Sequence, residues 1–375
     1  MIDLPAAHAR WYRLRRHGLQ TPFADPLTAA GKLAGVQAQI LPAAGIALWN
    51  RSPDFRAADL RRLLFKERRL VKLWGQRGTL HLYATDDWPL LHGAHADRPS
   101  YVERWVLAQG HDPAGYEQLI AQVAEALAAR GSLGRSDLRA LRATGLALSD
   151  GDLSGWGGIF SVLVRRGLAC HGPAADGEAR IVDRRHWVPE LDWNPPAAAI
   201  ADLTLTRRYL HAYGPASIQD LAYWRGRTIA EARTWLAALA DELVEVAIDG
   251  APQYLLRSDY DDLACEPPPR DRWPVRLLGR FDSLLLGHKD KSWLIDPEHY
   301  ARVWRPAGHI EATLLVHGRI AGTWRYDWRG ANLLLTVRPF RRPPAYVQRA
   351  VGKIAPQLAA HFGTALADLQ WEETA

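Results

Sequence analysis

The feature that most constrains the fold of this chain is a pattern of helix followed by two short strands that recurs three times. Its first copy lies in "ADLRRLLFKERRLVKLWGQRGTLHLYA", where Leu60, Leu63 and Leu64 recur at helical spacing. Apolar and polar residues of "LVKLW" and "TLHLY" then alternate on either side of Gly75 and Gly78. This copy is predicted to form a helix and a β-hairpin.

The second and third copies carry their own start and stop signals. In the second copy, Gly167 ends a helix and "GPAADGE" is typical of a loose hairpin tip. In the third copy, Ser217 with Asp220 and Thr228 with Glu231 have the spacing of capping boxes, so a helix is predicted to begin at each pair. "LVEVAID", "GAP" and "QYLL" then supply a strand, a tip and a second strand.

Two helices joined by a short turn and followed by a hairpin are typical of the winged-helix variant of the helix-turn-helix. We therefore predict an α+β protein in which three tandem winged-helix modules precede a small β-rich, barrel-like domain with an amphipathic helix near residues 344–362. The predicted domains are residues 1–110, 111–200, 201–262 and 263–375.

The β-rich domain follows the proline-rich segment "DDLACEPPPRDRWP". Turn residues at His317-Gly318 and Arg329-Gly330 separate its longest predicted strands. The segment "GHKDKSW", which contains Lys289 and Lys291, is interpreted as an exposed basic hairpin tip between the strands "LLLG" and "WLID". Such a tip is suited to a phosphate or groove contact, although ordinary turn composition explains it equally well.

The positive charge of the chain is concentrated in one stretch. The formal net charge is +6 and the isoelectric point is about 9.4. Residues 51–80 hold nine Arg or Lys and three Asp or Glu, so this stretch alone has a net charge of +6. A localised basic patch is expected of a protein that binds a polyanion, while a solvated helix face is the alternative.

Several classes of protein are disfavoured by what the sequence lacks. Only two cysteines occur, Cys170 and Cys265, and neither a signal-peptide core nor an 18-residue apolar run is present, which favours a cytoplasmic protein without membrane association. Phosphate-binding loops, dinucleotide fingerprints and serine-hydrolase elbows are also missing. His92 and His95 lack a third ligand at a telling spacing, so no metal and no cofactor are predicted.

Two neutral glutamines, Gln37 and Gln39, stand in the otherwise apolar "GVQAQI". A glutamine cannot remove a proton, but its carbonyl oxygen accepts hydrogen bonds and can hold a water. Two such oxygens suffice to position a nucleophilic water if the substrate is already primed to break; the alternative is a pair of ordinary surface glutamines. Lys32, nearby, is a candidate Schiff-base nucleophile or a plain helix-surface lysine.

Four segments together resemble the AlkZ-like branch of the winged-helix DNA glycosylases that excise N7-alkylated purines. They are "GVQAQI", "ALWNRSP", "WGQRGTLHLYATDDW" and "LLGRFDSLLLGHKDK", and the resemblance spans essentially the whole chain. A sister branch of the family carries Asp at the second glutamine position, so Gln39 groups this chain with the AlkZ-like branch.

The resemblance implies a monofunctional, monomeric DNA repair enzyme that hydrolyses the N-glycosidic bond of bulky N7-alkylguanine, including azinomycin-type interstrand crosslinks, and leaves an abasic site. Gln37 and Gln39 are then the catalytic pair. Because a crosslinked base is tied to both strands, an open, C-shaped channel that binds double-stranded DNA is expected. The candidate DNA contacts are Asn50, Arg51, Lys72, Arg77, His81, Arg165, Arg166, Arg225, Arg227, Lys289 and Lys291.

Two other classes remain as alternatives. A winged-helix transcription regulator without catalysis would have the same modules, but regulators usually form dimers on palindromic sites, whereas three unlike modules in one chain favour a single cradle. A nuclease is disfavoured because no cluster of Asp and Glu suggests a divalent-metal site.

Overall fold

The computed structural model describes residues 2–95, 98, 101–108, 112–155 and 157–373. The predicted boundary between the first two modules, at residues 110 and 111, lies outside them. The chain forms two compact units: one holds the residues up to Leu60 and those from Leu203 onward, and the other is Arg61–Asp202. This division is coarser than the four predicted domains, whose boundaries stay a prediction.

The amino-terminal part of the first unit is mainly helical. Its elements are β1 (Ile2–Leu4), α1 (Ala6–Arg16), α2 (Pro26–Lys32), β2 (Val36–Gln37), α3 (Leu41–Trp49) and α4 (Ala57–Phe65), the last of which continues into the second unit. Asp25 caps α2 by accepting hydrogen bonds from the backbone of Leu27 and Thr28, and Pro26 occupies the first helical position, where no donor is needed.

The second unit contains two of the helix-and-hairpin patterns. Its elements are β3 (Leu70–Trp74), β4 (Leu80–Ala84), α5 (Trp88–Gly93), α6 (Tyr101–Ala108), α7 (Pro113–Arg130), β5 (Ser132–Leu133), α8 (Arg135–Ala143), α9 (Gly158–Arg165), β6 (Ala169–His171), β7 (Ile181–Asp183) and α10 (Arg184–Trp187). Strands β3 and β4 pair antiparallel, and β7 pairs antiparallel with both β5 and β6. As predicted, α9 ends ahead of Gly167, whose φ is +71°.

The third pattern begins at the end of the second unit and lies mainly in the first. It comprises α11 (Ala198–Tyr213), α12 (Ile218–Arg225), α13 (Ile229–Ala238), β8 (Leu243–Ile248) and β9 (Ala251–Leu256), and α14 (Tyr260–Ala264) follows. Strand β8 pairs antiparallel with β9 and parallel with β1. Both predicted capping boxes are confirmed: Ser217 and Asp220 exchange hydrogen bonds at the start of α12, and Thr228 and Glu231 do so at α13.

The carboxyl-terminal region consists of β10 (Arg276–Leu278), α15 (Ser283–Leu286), α16 (Tyr300–Val303), β11 (Ala312–Val316), β12 (Arg319–Arg329), β13 (Asn332–Pro339), α17 (Ala345–His361) and β14 (Leu366–Trp371). The five strands form one sheet in the order β10-β11-β12-β13-β14. The predicted turns are present, since His317, Gly318 and Gly330 all have positive φ.

The predicted barrel-like closure is not found. Among the residues that the structure describes, β10 and β14 are opposite edges of an open sheet. The helix α17 packs Val347, Val351 and Leu358 in one cluster with the sheet residues Leu335 and Val337. A helix that buries one face of a sheet completes a two-layer core, so closure is unnecessary. The architecture is therefore a mixed α+β fold.

None of the helices that the structure describes has the length and apolarity needed to span a bilayer.

Candidate active site and nucleic-acid interface

The two glutamines lie in the short segment that joins α2 to α3. Ala34 and Gly35, with φ of +51° and +108°, turn the chain after α2. Gln37 is then the second residue of β2, and Gln39 follows in a bend before α3 begins at Leu41. In a helix, side chains at i and i+2 point about 200° apart. Since neither glutamine is in a helix, that separation is not imposed on them.

The two glutamines differ in exposure. Gln37 is only 6% exposed and Ala38 is fully buried, whereas Gln39 is exposed. The segment therefore runs along the boundary between core and solvent. The amide of Gln37 is held by the surrounding protein, and the amide of Gln39 is accessible to a ligand or to water.

Packing on both sides fixes this segment. Before it, the Tyr213 hydroxyl donates a hydrogen bond to the Leu33 carbonyl over 3.0 Å, and Ala34 packs in an aromatic cluster with Tyr209 and Trp224. After it, α3 packs so closely on Gly279 that a Cβ there would lie 2.9 Å from the Ala43 carbonyl oxygen. The glutamines therefore stand on backbone anchored at both ends.

Asn50 and Arg51, predicted to contact DNA, are interior residues. The Asn50 amide donates to the carbonyls of Ile46, at 3.1 Å, and Leu277, at 2.9 Å. The Arg51 guanidinium makes a two-pronged ion pair with Asp282 at 2.7 and 2.8 Å, and both side chains have 0% exposure. These polar groups are committed to tying α3 to the region around β10 and α15, so neither is available to a phosphate.

The predicted hairpin tip at Lys289 and Lys291 is wrong. Residues 283–286 form the helix α15, and 292–295 form turns, because Asp282 caps α15 by accepting from the backbone N–H of Leu284. Lys291 is 6% exposed; its ammonium donates to the His288 carbonyl and faces the rings of Tyr223 at 4.9 Å and Trp304 at 5.5 Å. Lys291 is therefore a structural residue.

Lys289 is exposed and remains a candidate DNA contact. Its backbone N–H donates to Asp220 over 2.7 Å, which ties this segment to the start of α12. At the other end of α12, Arg225 is 1% exposed and lies over the Trp235 ring at 5.3 Å, so it is also structural. Arg227 is half-buried and remains a candidate.

In the second unit, the β3–β4 hairpin carries three predicted contacts. Arg77 lies at the tip with φ of +57°, and Lys72 is half-buried on β3, where burial lowers its pKa. His81 is buried and its Nδ1 lies 3.0 Å from the Thr79 carbonyl. Burial, followed by the charge of Arg77, lowers the pKa of His81 to about 3. His81 is therefore neutral at physiological pH and packs as a strand residue against Tyr83.

The two arginines that end α9 differ in availability. Arg166 donates four hydrogen bonds of 2.6 to 3.1 Å to Glu103 and Glu117, and these carboxylates raise its pKa. It is already neutralised, so a DNA phosphate gains little from it. Arg165 is half-buried, and burial lowers its pKa. Arg165 remains a candidate contact.

Exposed cations that were not singled out in the sequence lie on α4 and the loop after it. Arg61, Arg62, Lys66 and Arg69 are all exposed, and Arg62 is ion-paired with Glu67. The net charge of residues 51–80 pointed to this stretch, but it did not distinguish these cations from the buried Arg51. The helix α8 carries a second set at i, i+4 and i+7: the half-buried Arg135, the exposed Arg139, and Arg142, which is exposed and paired with Asp150.

Metal binding finds no support in the described part of the chain, which contains no group of three or more His, Cys, Asp or Glu able to hold an ion. His92 lies with Nδ1 3.2 Å from the Arg165 carbonyl and packs on Trp193. Lys32 is the last residue of α2 and is exposed, as expected for a helix-surface lysine.

Comparison with known proteins gives one consistent result. Residues 30–361 match the model of the family described as "DNA glycosylase AlkZ-like". An "Interstrand DNA cross-link repair glycosylase" of Streptomyces sahachiroi is 29% identical over 377 residues, covering 95% of this chain and 97% of the relative. The solved structure of the Streptomyces sahachiroi DNA glycosylase AlkZ matches with a TM-score of 0.84 and 28% identity, covering 99% of this chain and all of that chain.

Proposed function

The chain belongs to the AlkZ-like family of DNA glycosylases, and from this premise we propose that it hydrolyses the N-glycosidic bond of bulky N7-alkylguanine, including that of interstrand crosslinks, and leaves an abasic site. The observation that carries the proposal is the position of Gln37 and Gln39 on anchored, non-helical backbone at the edge of the core. Such a backbone fixes the position of two neutral hydrogen-bond acceptors, the amide oxygens, at the boundary with solvent.

The chemistry of an N7-alkylated purine suits neutral groups. Alkylation makes the base cationic, so the glycosidic bond breaks towards a neutral leaving base and an oxocarbenium-like sugar, and no general acid is needed. We propose that the amide oxygens of Gln37 and Gln39 hold a water against C1′ and face the sugar cation. Electrostatic positioning of this kind contributes roughly 10²–10³-fold per group.

Water as the nucleophile makes the enzyme monofunctional. A Schiff-base mechanism needs a lysine nucleophile beside the sugar, and we propose that water takes that place while Lys32 stays on the surface of α2. The phosphodiester backbone is therefore expected to stay intact after base release and to break only in alkali.

We propose that the three helix-and-hairpin patterns are winged-helix modules that bind double-stranded DNA, with the enzyme acting as a monomer in the cytoplasm. Lys72, Arg77, Arg165, Arg227 and Lys289 remain the proposed contacts after the buried cations are removed. The exposed cations Arg61, Lys66 and Arg69 join them. The module boundaries and the C-shaped channel stay predictions.

The test compares two substrates. A duplex with a single N7-methylguanine and a duplex with one defined azinomycin-type crosslink are incubated with the protein and resolved before and after mild alkali. We expect alkali-dependent cleavage of the first and separated strands from the second. Intact strands in both, together with ordinary duplex affinity, would instead identify a non-catalytic winged-helix regulator.

A further inference from the structure

A pocket of about 620 Å³, here called the α1 pocket, opens to solvent in the first unit. Side chains from α1, from the proline-rich segment after α14 and from the turn between β11 and β12 line it. Its volume lies within the roughly 300–1,000 Å³ range of small-molecule sites. Nothing in the proposed glycosylase chemistry uses this pocket.

The polar lining of the α1 pocket is strongly cationic. Three arginines, Arg10, Arg270 and Arg319, surround it, and Glu266 is its one lining carboxylate among the described residues. That carboxylate lies 3.4 Å from Nε2 of His8, another lining residue, and the Glu266 side chain is 89% exposed, so solvent screens its charge. Arg319 is committed to Asp296 and to the carbonyls of Ser292 and Trp293, so Arg10 and Arg270 are the guanidinium groups suited to recognise a phosphate in the cavity.

Arg319 is paired with Asp296 at 2.5 Å. Within the described residues neither Arg10 nor Arg270 forms an ion pair, although the charge of Asp249 acts on Arg10. The Nε of Arg10 is buried and has no hydrogen-bond partner in the part of the chain that the structure describes. The protein therefore does not satisfy the whole Arg10 guanidinium, and a guanidinium in that state favours an anion beside it.

The charges also repel one another. The pKa of Arg10 is lowered, mainly by burial and then by the nearby charges of Arg319 and Arg270. The charge of Arg270 likewise adds to burial in lowering the pKa of His317, whose ring also lines the pocket. Arg270 therefore acts on both sides of the cavity, as expected of cations that converge on one bound anion.

The remaining wall of the α1 pocket is apolar. Pro267, Pro268 and Pro269 line it together with Trp273, so a ligand needs an organic part as well as an anionic one. We propose that the α1 pocket binds a phosphate group carried by an organic ligand. The phosphate comes either from a free nucleotide or from the backbone of DNA, and the proposal goes beyond the base-excision function.

The experiment uses the full chain and three probes: pyrophosphate, dGMP and an undamaged 16-base-pair duplex. Binding of the first two is measured by calorimetry, and duplex affinity by fluorescence anisotropy across a salt series. Wild type is compared with Arg10→Gln/Arg270→Gln and with a matched control, Arg349→Gln/Lys353→Gln, which removes two exposed cations of α17. Arg270→Gln alone, at an exposed residue, serves if the double variant does not fold.

We expect the pocket variant, and not the control, to weaken pyrophosphate binding about tenfold or more, because two charged donors are lost. If wild type binds dGMP more tightly than the pocket variant does, the phosphate comes from a free nucleotide. If dGMP does not bind, and the slope of log duplex affinity against log salt is lower by about one to two in the pocket variant, the phosphate belongs to DNA. Equal behaviour of wild type and pocket variant with all three probes would overturn the proposal. Base excision is measured in parallel, so a chain that binds phosphate but releases no base would refute the proposed function alone.

Discussion

At the scale of single residues, the Arg51–Asp282 pair makes a direct prediction about stability. Both side chains are fully buried, so Arg51→Met leaves the Asp282 carboxylate without a counter-charge. The free energy of unfolding should fall by about 3–5 kcal/mol, measured by urea denaturation. The exposed substitution Arg349→Met is the matched control and should change stability by less than about 0.5 kcal/mol.

The double variant Arg51→Met/Asp282→Asn separates the charge pair from the cap of α15, because an asparagine side chain can still accept from the Leu284 N–H. Because it removes both charges, it should be more stable than Arg51→Met alone. A double variant as unstable as the sum of the two single variants would show that the residues act independently.

His81 predicts a dependence of stability on pH. Its pKa is lowered from 6.5 to about 3 in the folded protein, so between these values the unfolded chain binds the proton more readily. The stability contributed by neutral His81 is present above pH 6.5 and is lost as pH falls, with a slope approaching about 1.4 kcal/mol per pH unit.

The substitution His81→Phe should flatten this dependence between pH 6.5 and 4 in urea denaturation series. The control is His186→Gln, which removes a histidine whose side chain is exposed. An unchanged slope in His81→Phe would contradict a neutral, buried imidazole.

Residues whose role depends on local spacing were predicted from the sequence. Ser217 with Asp220 and Gly167 behave as expected because a cap or a left-handed residue acts on its own helix. The roles of Arg51 and Lys291 were not predicted, because their partners Asp282 and Trp304 are brought to them only by tertiary packing.

At the scale of elements, Asp220 does two things at the start of α12. Its side chain closes the capping box with Ser217, and it also accepts hydrogen bonds from the backbone of Lys289 and Asp290 at 2.7 and 3.3 Å. Asp220→Ala should therefore cost about 2–3 kcal/mol, whereas Ser217→Ala should cost only about 1 kcal/mol.

Thermal and urea denaturation of both variants test this difference. Thr234→Ala on the exposed face of α13 is the control and should be nearly neutral, because its hydroxyl bonds only to the Ala230 carbonyl one turn earlier. Equal losses in Asp220→Ala and Ser217→Ala would mean that the contact to the Lys289 segment adds nothing.

The segment that contains α15 and Lys289 is where the prediction of secondary structure failed. The segment "LLLG" was predicted to be a strand because three leucines in a row, Leu284 to Leu286, fit a buried strand and a buried helix equally well. Asp282 decides between them, since its side chain caps the helix and pairs with Arg51. By contrast, the long, periodic α17 was predicted to within a residue or two at each end.

At the scale of the whole molecule, binding of duplex DNA should weaken steeply with salt, because the proposed contacts neutralise phosphates. Removal of two exposed cations near α4 by Lys66→Gln/Arg69→Gln should lower the slope of log affinity against log salt by about 1.8. The pair Arg349→Gln/Lys353→Gln is the matched control, measured by fluorescence anisotropy. A slope that falls equally in both variants would show that net charge alone matters.

The mixed α+β architecture was predictable from the order of helices and hairpins, whereas the open form of the last sheet was not. Strand patterns specify neighbours, such as the β11–β12 pair around His317-Gly318, but not whether the two outer strands meet. The packing of α17 on the sheet, which makes closure unnecessary, depends on contacts distant in sequence.

Gln37 is proposed to hold water for base release and not to hold DNA. The most direct test is single-turnover release of N7-methylguanine at saturating Gln37→Ala, with duplex affinity measured on the same preparation. We expect a loss of roughly 10²–10³-fold in the rate with affinity within about twofold of wild type, and no change for Gln348→Ala, an exposed glutamine of α17. An unchanged rate, or a rate that falls only in parallel with affinity, would show that Gln37 does not hold the water.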